Sequence, residues 1–325
     1  MKNKKIISVL IIAGGLTGAA SAELGVSAGA SFNYKAKFRS APATQLRAND
    51  PGDPVGGTDH FYDDGYNRVD ISENDGSETW YWGYENASQH VNDTITMNSS
   101  RTTIDAGSSS ERQEDVQPAL EVYWQTDLTE NKRWNFGVRA ALRWQNIRIN
   151  NRVLYGTTVD TISDTYSHGT GLLIPDAPYE GSYAGPGIVL GDTPNRDTSS
   201  AAGPQVLATR KLNANLFGLD VGPTASLNII ENLSVAASAG GTVAWMQSSF
   251  SYSDGDLASG GSTDGKCLLG VYTGIDLRYK FSERWGVFAG AAYSLLQDFD
   301  QKTDGRSAEL QFGASYTVRA GIFFQ

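Results

Sequence analysis

Two stretches of this chain, one near each end, alternate between apolar and other residues with a period of two. In the first, 24–39, every even position is apolar and every odd position is small or polar. In the second, 309–324, the even positions are again apolar. Neighbouring side chains of a β-strand point to opposite faces, so each stretch predicts a strand whose faces meet different environments. At about 15 residues, both would be far longer than the strands of about 5 to 6 residues in soluble sheets.

The pattern predicts six further strands between these two, at 118–127, 133–145, 212–229, 233–245, 266–281 and 285–296. Short turns join them into three hairpins, at 129–132, 230–232 and 282–284. The other four connections are long, at 40–115, 150–206, 253–265 and 298–306. In an antiparallel arrangement, all short turns then lie at one end and all long loops at the other.

This arrangement favours a sheet that crosses a membrane. No run of 18 apolar residues follows the first 22, which excludes a transmembrane helix. A sheet in lipid must close on itself, because hydrocarbon offers no partner to the backbone groups of a free edge. The alternative is a soluble secreted β-sandwich, but its strands would be shorter than the ones predicted here. We therefore predict an all-β fold, a transmembrane antiparallel up-and-down barrel, with eight strands within 23–325.

The fourth predicted strand, 212–229, has an irregular pattern. Its apolar residues first occupy even positions and then odd ones: Leu212, Ala214 and Leu216, followed by Phe217, Leu219 and Val221. A change of parity within one strand predicts a β-bulge. Pro223 also removes one hydrogen bond from the ladder.

When the apolar faces are turned to lipid, a set of charged residues lies inside the barrel. Both signs are present, which predicts a network of ion pairs in the lumen: Glu121, Arg139, Arg143, Asp220, Asp276, Arg278, Glu309 and Arg319. Aromatic residues concentrate near the strand ends, where the two interfaces of a bilayer favour them. The predicted interfacial residues are Trp134, Trp144, Trp245, Trp285 and Tyr293.

Residues 1–22 have the features of a secretory signal peptide. Three lysines precede an apolar run at 6–16, and Ala20-Ser21-Ala22 provides a small-residue cleavage pattern. The alternative, a membrane anchor, needs about 20 apolar residues. Cleavage after Ala22 leaves 36 acidic and 23 basic residues, a net charge of −13.

This acidic balance excludes nucleic acid as a partner, because binding phosphates requires clustered Lys and Arg. The single cysteine, Cys267, excludes an intrachain disulfide framework. With only three histidines in the chain, it also argues against a Cys/His zinc site. We predict no cofactor.

In these features the chain resembles the small eight-stranded outer-membrane β-barrels of Gram-negative bacteria, the group that includes the transmembrane domain of OmpA and the OmpX type. The resemblance rests on the signal peptide, the strand pattern and the terminal strand 316–325. In that family the barrel-insertion machinery reads alternating apolar positions that end in an aromatic residue. Ile322 and Phe324 match, although Gln325 follows. The resemblance implies an outer-membrane monomer, exported by its signal peptide, with lipid and the insertion machinery as partners.

Two long loops differ in composition. The loop 40–115 holds 15 acidic residues and four arginines, a net charge of −11. Its segments 80–84 and 94–97 have the composition of strands and predict a hairpin that extends the barrel wall, or two additional strands. Its carboxylates make weak calcium candidates, since oxygen ligands suit this ion but the spacing is not that of an EF-hand: Asp63, Asp64, Asp70 and Asp75. The loop 150–206, rich in Pro and Gly, predicts irregular structure.

Function is expected to reside in these loops. Three histidines lie there, His60, His90 and His168, and each has Ser and Asp residues available as partners for catalysis. No catalytic sequence motif accompanies them. We therefore predict a non-enzymatic barrel with a structural or surface-interaction role. The alternatives are a porin-like channel for small solutes and an enzyme whose site lies in the loops. No extracellular partner can be named from the sequence.

Overall fold

The computed structural model describes residues 22–70, 76–105, 107–112, 116–129, 133–181 and 185–325. The predicted signal peptide, except for Ala22, lies outside these residues. The described part is almost entirely β-structure, with one 3-10 helix, Ala87–Gln89. Within that part, no helix has the length and apolar character needed to span a membrane.

Eight antiparallel strands form a closed ring. In chain order they are β1 (Ala22–Phe32), β2 (Gln117–Asp127), β3 (Trp134–Tyr155), β4 (Val206–Ile230), β5 (Leu233–Asp254), β6 (Ala258–Lys280), β7 (Trp285–Leu296) and β8 (Ser315–Phe324). Each strand pairs with its neighbours in this order, and the ring closes where Leu24 of β1 lies opposite Phe324 of β8. The prediction of an eight-stranded up-and-down barrel is confirmed.

Four strands extend much further than the sequence pattern predicted. Strands β3 and β5 have 22 residues, β6 has 23 and β4 has 25. The predicted long loop 253–265 is therefore wrong, because β5 and β6 are joined by a tight turn in which Gly255 has a φ of 58°. Most of the extra strand residues on the barrel exterior are polar, such as Asn150, Lys211 and Ser251, so the apolar alternation that located the strands does not continue through them.

The first and last predicted strands are each divided in two. Strand β1 ends at Phe32, Asn33 takes a φ of 76°, and a separate strand follows at Lys35–Ser40. Asn tolerates this left-handed conformation better than most residues. The break reverses the faces of the chain. Val26 faces outward and is 48% exposed, whereas Phe38, also at an even position, is fully buried.

The bulge predicted in β4 is absent at the change of parity. The pairing of β4 with β5 keeps one register from Ala208 to Asn228, and shifts only between Asn228 and Ile230. The apolar side chains change sides of a regular wall instead. Leu216 is buried inside the barrel, whereas Phe217 is 50% exposed on the outside. The sequence pattern thus marks the height at which the barrel exterior changes from apolar to polar.

A belt of apolar side chains surrounds the exterior on the side of the short turns. At its upper edge, Trp144, Phe217, Trp245 and Cys267 lie opposite one another on consecutive strands. At its lower edge Trp134 stacks on Phe136, and Trp285 packs on Phe324. Ten residues of β3 separate Trp134 from Trp144, which for a tilted strand corresponds to about 25 Å, the height of a membrane-embedded band.

Above this belt the barrel wall continues as a second sheet. Its strands, in spatial order, are Gly107–Arg112, Lys35–Ser40, Arg306–Gln311 and Phe299–Thr303. With the upper parts of β3 to β6 they enclose an apolar core. This upper core includes Tyr34, Phe38, Ile147, Ile149, Leu212, Met246, Phe250, Phe299, Leu310 and Phe312.

The remaining strands form a folded unit at the loop end, here called the cap. Its strands are Ala43–Thr44, His60–Tyr62, Gly65–Asn67, Glu78–Thr79, Trp82–Tyr84, His90–Val91, Thr94–Ile104, Thr157–Ser167, Tyr179–Glu180, Leu190–Gly191 and Asn195–Ala202. The largest cap sheet pairs Thr94–Ile104 with Thr157–Ser167. The cap has its own core, which includes Trp82, Ile95, Met97 and Tyr166. Two expectations are thus wrong: 80–97 adds no strand to the barrel ring, and 150–206 is largely β-structure.

The membrane-facing side of β3 gives a direct test of this fold. Val138 lies on the exterior within the belt, whereas Leu154 lies on the same face of the same strand, ten residues above Trp144. Val138→Arg should destabilise the folded barrel in lipid by about 2 to 4 kcal/mol if it lies near the bilayer midplane, because a charge would enter hydrocarbon. Leu154→Arg should change the free energy of folding by less than about 1 kcal/mol. Urea titrations of folding into vesicles would measure both, and equal effects would contradict the position of the belt.

Candidate functional site in the lumen and the cap

Four charged side chains meet inside the barrel at the height of the belt. Arg139 binds Glu121 at 2.6 Å and Asp276 at 2.9 Å. Arg319 binds the same two carboxylates, at 2.6 and 3.0 Å. These residues come from β2, β3, β6 and β8. The pair of Arg139 with Glu121 joins neighbouring strands, whereas the other three ion pairs bridge strands that are not neighbours in the ring. The lumen is therefore crossed at this height by a closed network of charges.

Further pairs extend this network towards both ends. Above, Arg143 lies 3.5 Å from Asp220, which also accepts a hydrogen bond from Thr242. Below, Arg278 pairs with Glu23, to which the Tyr123 hydroxyl donates at 2.6 Å. Seven of the eight charged residues predicted for the lumen are thus buried inside it. Glu23 and Tyr123 were missed, although both fall on the inward parity of β1 and β2.

The placement of Glu309 in the lumen is wrong. This residue belongs to the separate strand Arg306–Gln311, where its Cα lies opposite those of Lys37 and Asp300. It is half-buried, and it accepts a hydrogen bond from Gln311. The error has the same origin as the predicted 15-residue last strand, because β8 begins only at Ser315.

A second buried charge cluster, not predicted from the sequence, lies beside the upper core. Asp254 binds Arg210 at 2.5 Å and Arg306 at 2.7 Å. Arg210 also donates to Ser40, and the Arg306 guanidinium lies 4.3 Å from the ring centroid of Tyr252. Arg210, Tyr252 and Asp254 occupy the polar extensions of β4 and β5, where the alternation gave no signal, whereas Ser40 and Arg306 belong to the second sheet.

At the height of the charge network, the side chains that the structure describes in the lumen are closely packed: Glu121, Arg139, Asp276 and Arg319 are each at most 7% exposed. A cavity of about 10 Å³ lies among Ser27, Glu121, Arg143 and Arg319. That volume corresponds to about one water molecule. The charge network and the upper core therefore form two successive barriers along the axis of the barrel.

The exterior at the same height is apolar. Val26, Leu142, Leu219 and Ile275 are each between 43% and 55% exposed on the outside. A charged interior beneath an apolar exterior is the reverse of a soluble protein, and it suits only a barrel that faces lipid. This is the fold of a small outer-membrane β-barrel.

The predicted interfacial aromatic residues lie at the two edges of the belt in this barrel. Trp134 and Trp285 are 45% exposed at the turn end, and Trp245 is 47% exposed at the opposite edge. Trp144 and Tyr293 are half-buried, and Tyr293 packs against Tyr316 at a centroid distance of 5.4 Å.

Comparison with known proteins finds matches among solved structures, at low sequence identity. No protein-family model matches the chain, and no curated protein does. Among solved structures, the chain is similar to the outer membrane protease OmpT of Escherichia coli, at 10% identity and a TM-score of 0.37, covering 95% of this chain and 97% of that one. It is also similar to Ail, the attachment invasion locus protein of Yersinia pestis, at 9% identity and a TM-score of 0.27, covering 93% and 99%.

A buried polar cluster joins the strands of the cap. Asp164 receives two hydrogen bonds from Arg196, at 2.8 and 2.6 Å, and one from the Tyr62 hydroxyl at 2.6 Å. The Tyr62 hydroxyl also lies 2.7 Å from that of Tyr166. Burial, followed by the hydrogen bonds to Asp164 and Tyr166, raises the pKa of Tyr62 well above its ordinary value of 10.0. Burial likewise raises the pKa of Tyr166.

The three histidines occupy two environments in the cap. His60 is fully buried, and its ring nitrogens contact the Pro51 carbonyl at 2.5 Å and the Thr58 hydroxyl at 3.1 Å. His90 and His168 pair with each other, with 3.1 Å between their Nε2 atoms. Among the described residues, none of these rings makes a hydrogen bond to a carboxylate.

The calcium candidates do not converge on one point. Asp63 accepts hydrogen bonds from the backbone and side chain of Ser100, and Asp64 accepts two from Asn98. Through these hydrogen bonds, the two carboxylates connect the turn after His60–Tyr62 to the strand Thr94–Ile104. Asp70 lies elsewhere and is half-buried, and Asp75 falls outside the described residues. The described residues contain no group of three or more potential metal ligands.

The buried phenols of the cap predict a loss of stability in alkali. The unfolded chain releases phenolic protons near pH 10, whereas Tyr62 and Tyr166 keep theirs in the folded cap. Because the folded state then binds more protons, the free energy of unfolding should fall as the pH rises above about 10. Tyr62→Phe should make this slope shallower by about 1.4 kcal/mol per pH unit, the effect of one proton.

Denaturant titrations followed by near-UV circular dichroism at several pH values would measure that slope. Tyr293→Phe, in the belt, is the matched control and should leave the slope of the cap unchanged. Identical slopes in wild type and Tyr62→Phe would contradict a protonated, buried Tyr62.

Proposed function

We propose that this protein is a non-enzymatic outer-membrane anchor that displays the folded cap at the cell surface. The observation that carries this proposal is the pair of barriers in the lumen, the charge network around Arg139 and Arg319 and the upper core above it. A barrel that is filled along its axis serves to hold the cap and not to conduct. Eight-stranded barrels in general have an interior that side chains fill.

The distribution of charge supports a role for the cap. By sequence, the segments 43–104 and 157–202 hold 17 acidic and four basic residues, a net charge of −13. The rest of the mature chain holds 19 of each, so the barrel is neutral. Acidic residues are thus concentrated in the part that this proposal assigns to contact with the surroundings.

The geometry of the histidines favours this role over that of a loop enzyme. In a catalytic triad, the His ring reaches both a nucleophile and an orienting carboxylate. His60 is instead held by a backbone carbonyl and a threonine, and His90 and His168 hold each other. OmpT is a protease by its description, but its likeness to this chain concerns the fold alone.

Export and insertion complete the proposal. The signal peptide would direct the chain across the inner membrane, and the insertion machinery would read β8. Phe324 is 41% exposed on the exterior at the lower edge of the belt, and its Cα lies opposite those of Leu24 and Trp285. Gln325 donates a hydrogen bond to Glu23 beyond this last aromatic residue, which is compatible with a signal that ends at Phe324.

Electrical recording separates an anchor from a channel. Purified, folded protein inserted into a planar lipid bilayer should give no unitary conductance steps, since the charge network and the upper core block the axis. The protein is delivered by fusing proteoliposomes with the bilayer, and its heat-dependent gel mobility confirms that it is folded in them. Regular steps of one size would overturn the anchor proposal and favour the porin-like alternative.

Surface labelling tests the display of the cap. In a Cys267→Ser background, Leu173→Cys, at a position 89% exposed in the cap, should react on intact cells with a membrane-impermeant maleimide. Glu231→Cys, at the exposed short turn between β4 and β5, is the matched control and should react only after lysis. Labelling of Glu231→Cys on intact cells, with Leu173→Cys labelled only after lysis, would show that the short turns and not the cap face the outside.

A further inference from the structure

One face of the barrel wall above the belt is basic, in a chain that is otherwise acidic. Its members, here called the basic face, are Lys35, Lys37, Arg39, Arg148, Arg152 and Lys211. All are exposed except Lys37, which is half-buried. They lie on Lys35–Ser40, β3 and β4 and form one contiguous surface. The strand Gly107–Arg112 lies between the first two. It pairs with Lys35–Ser40, and it is joined to β3 by a hydrogen bond from the Ser109 hydroxyl to Asn151 and one from Asn151 to Glu111.

The strand register shows that the basic face points outward. Ala36 and Phe38 lie in the upper core, so the alternate residues Lys35, Lys37 and Arg39 are on the exterior. On β3, Ile147 and Ile149 are inside, so Arg148 is outside. On β4, Leu212 is inside, which places Lys211 outside.

Acidic side chains are scarce on this surface. Among the described residues, none of the six basic side chains forms an ion pair within 4.0 Å. Lys37 faces Glu309 on the adjoining strand, and Glu111 borders a cleft that Arg152 and Lys211 also line. Counting Glu309 and Glu111 against the six basic side chains leaves an excess of four positive charges on this surface.

The basic face begins directly above the apolar belt. Arg148 follows Trp144 by four residues, about 10 Å along the barrel axis. Lys35 follows Phe32 by three residues, and Lys211 precedes Phe217 by six. The headgroup layer of one leaflet is about 5 to 8 Å thick. Long Lys and Arg side chains that start just above it can extend their charged ends into it.

We propose that the basic face binds phosphate groups of lipid headgroups in the leaflet on the loop side of the membrane. Phosphate is the anion that suits both residue types, since Arg binds it through two parallel hydrogen bonds and Lys through its charge. Lipid is favoured over a soluble anionic polymer, because such a polymer would also have to approach the acidic cap. The surface is continuous with the belt, which lipid already covers.

Lipid retention on the purified protein tests this proposal. Folded, full-length mature protein is placed in vesicles of phosphatidylcholine and phosphatidic acid at a ratio of four to one. It is then extracted as polymer-bounded discs, and the two retained lipids are quantified. Wild type should retain phosphatidic acid above the ratio in the vesicles, because each basic side chain near a lipid surface gives on the order of a fivefold preference.

Two variants with equal changes in charge make the test specific. Replacing Lys35, Arg148 and Lys211 by Gln should lower the enrichment about fivefold or more. Replacing Arg47, Arg68 and Arg101 by Gln removes the same charge from the cap, where Arg68 and Arg101 pair with Asp59 and Asp160, and should leave the enrichment within about twofold of wild type. Equal losses in the two variants, or no enrichment in wild type, would overturn the proposal.

Discussion

Every feature of this barrel depends on one constraint, that a sheet in hydrocarbon cannot leave its backbone hydrogen-bonding groups unpaired. The contact between β1 and β8 satisfies it by closing the ring. Closure determines which side chains face inward, because the parity of each strand is then fixed around the whole circumference. The cross-lumen pairs of Arg139 and Arg319 require that fixed parity. Above the belt, water would permit open edges, and there the wall separates into two sheets joined by side chains.

The reversal of polarity along the wall is the second organising feature. Within the belt, apolar residues face out and charges face in, whereas above it the upper core faces in and polar residues face out. The same strand therefore has the side-chain distribution of a membrane protein over one half and that of a soluble protein over the other. On β4 the change falls between Leu216 and Phe217. No bulge is needed, since both arrangements are compatible with one straight ladder.

The sequence was sufficient to predict the ring and seven of the eight lumen charges, because apolar alternation is strong wherever lipid covers one face. It failed where that signal ends. The upper parts of β3 to β6, the cluster of Asp254 with Arg210 and Arg306, and the cap strands have no lipid-facing residues, so nothing distinguished them from loops. The change of parity at Leu216 was read as a bulge, because a single strand was assumed to face one environment on each side.

The separation of charge between the cap and the barrel gives the molecule a large electric dipole along its axis. A neutral barrel carries a cap with a net charge of −13 at one end. The field of such a charge extends about one Debye length from the surface, roughly 8 Å at physiological salt and about 30 Å in dilute media. Cationic peptides and metal ions would accordingly accumulate at the cap most strongly at low ionic strength. Anionic molecules would be repelled from the cap before they make contact.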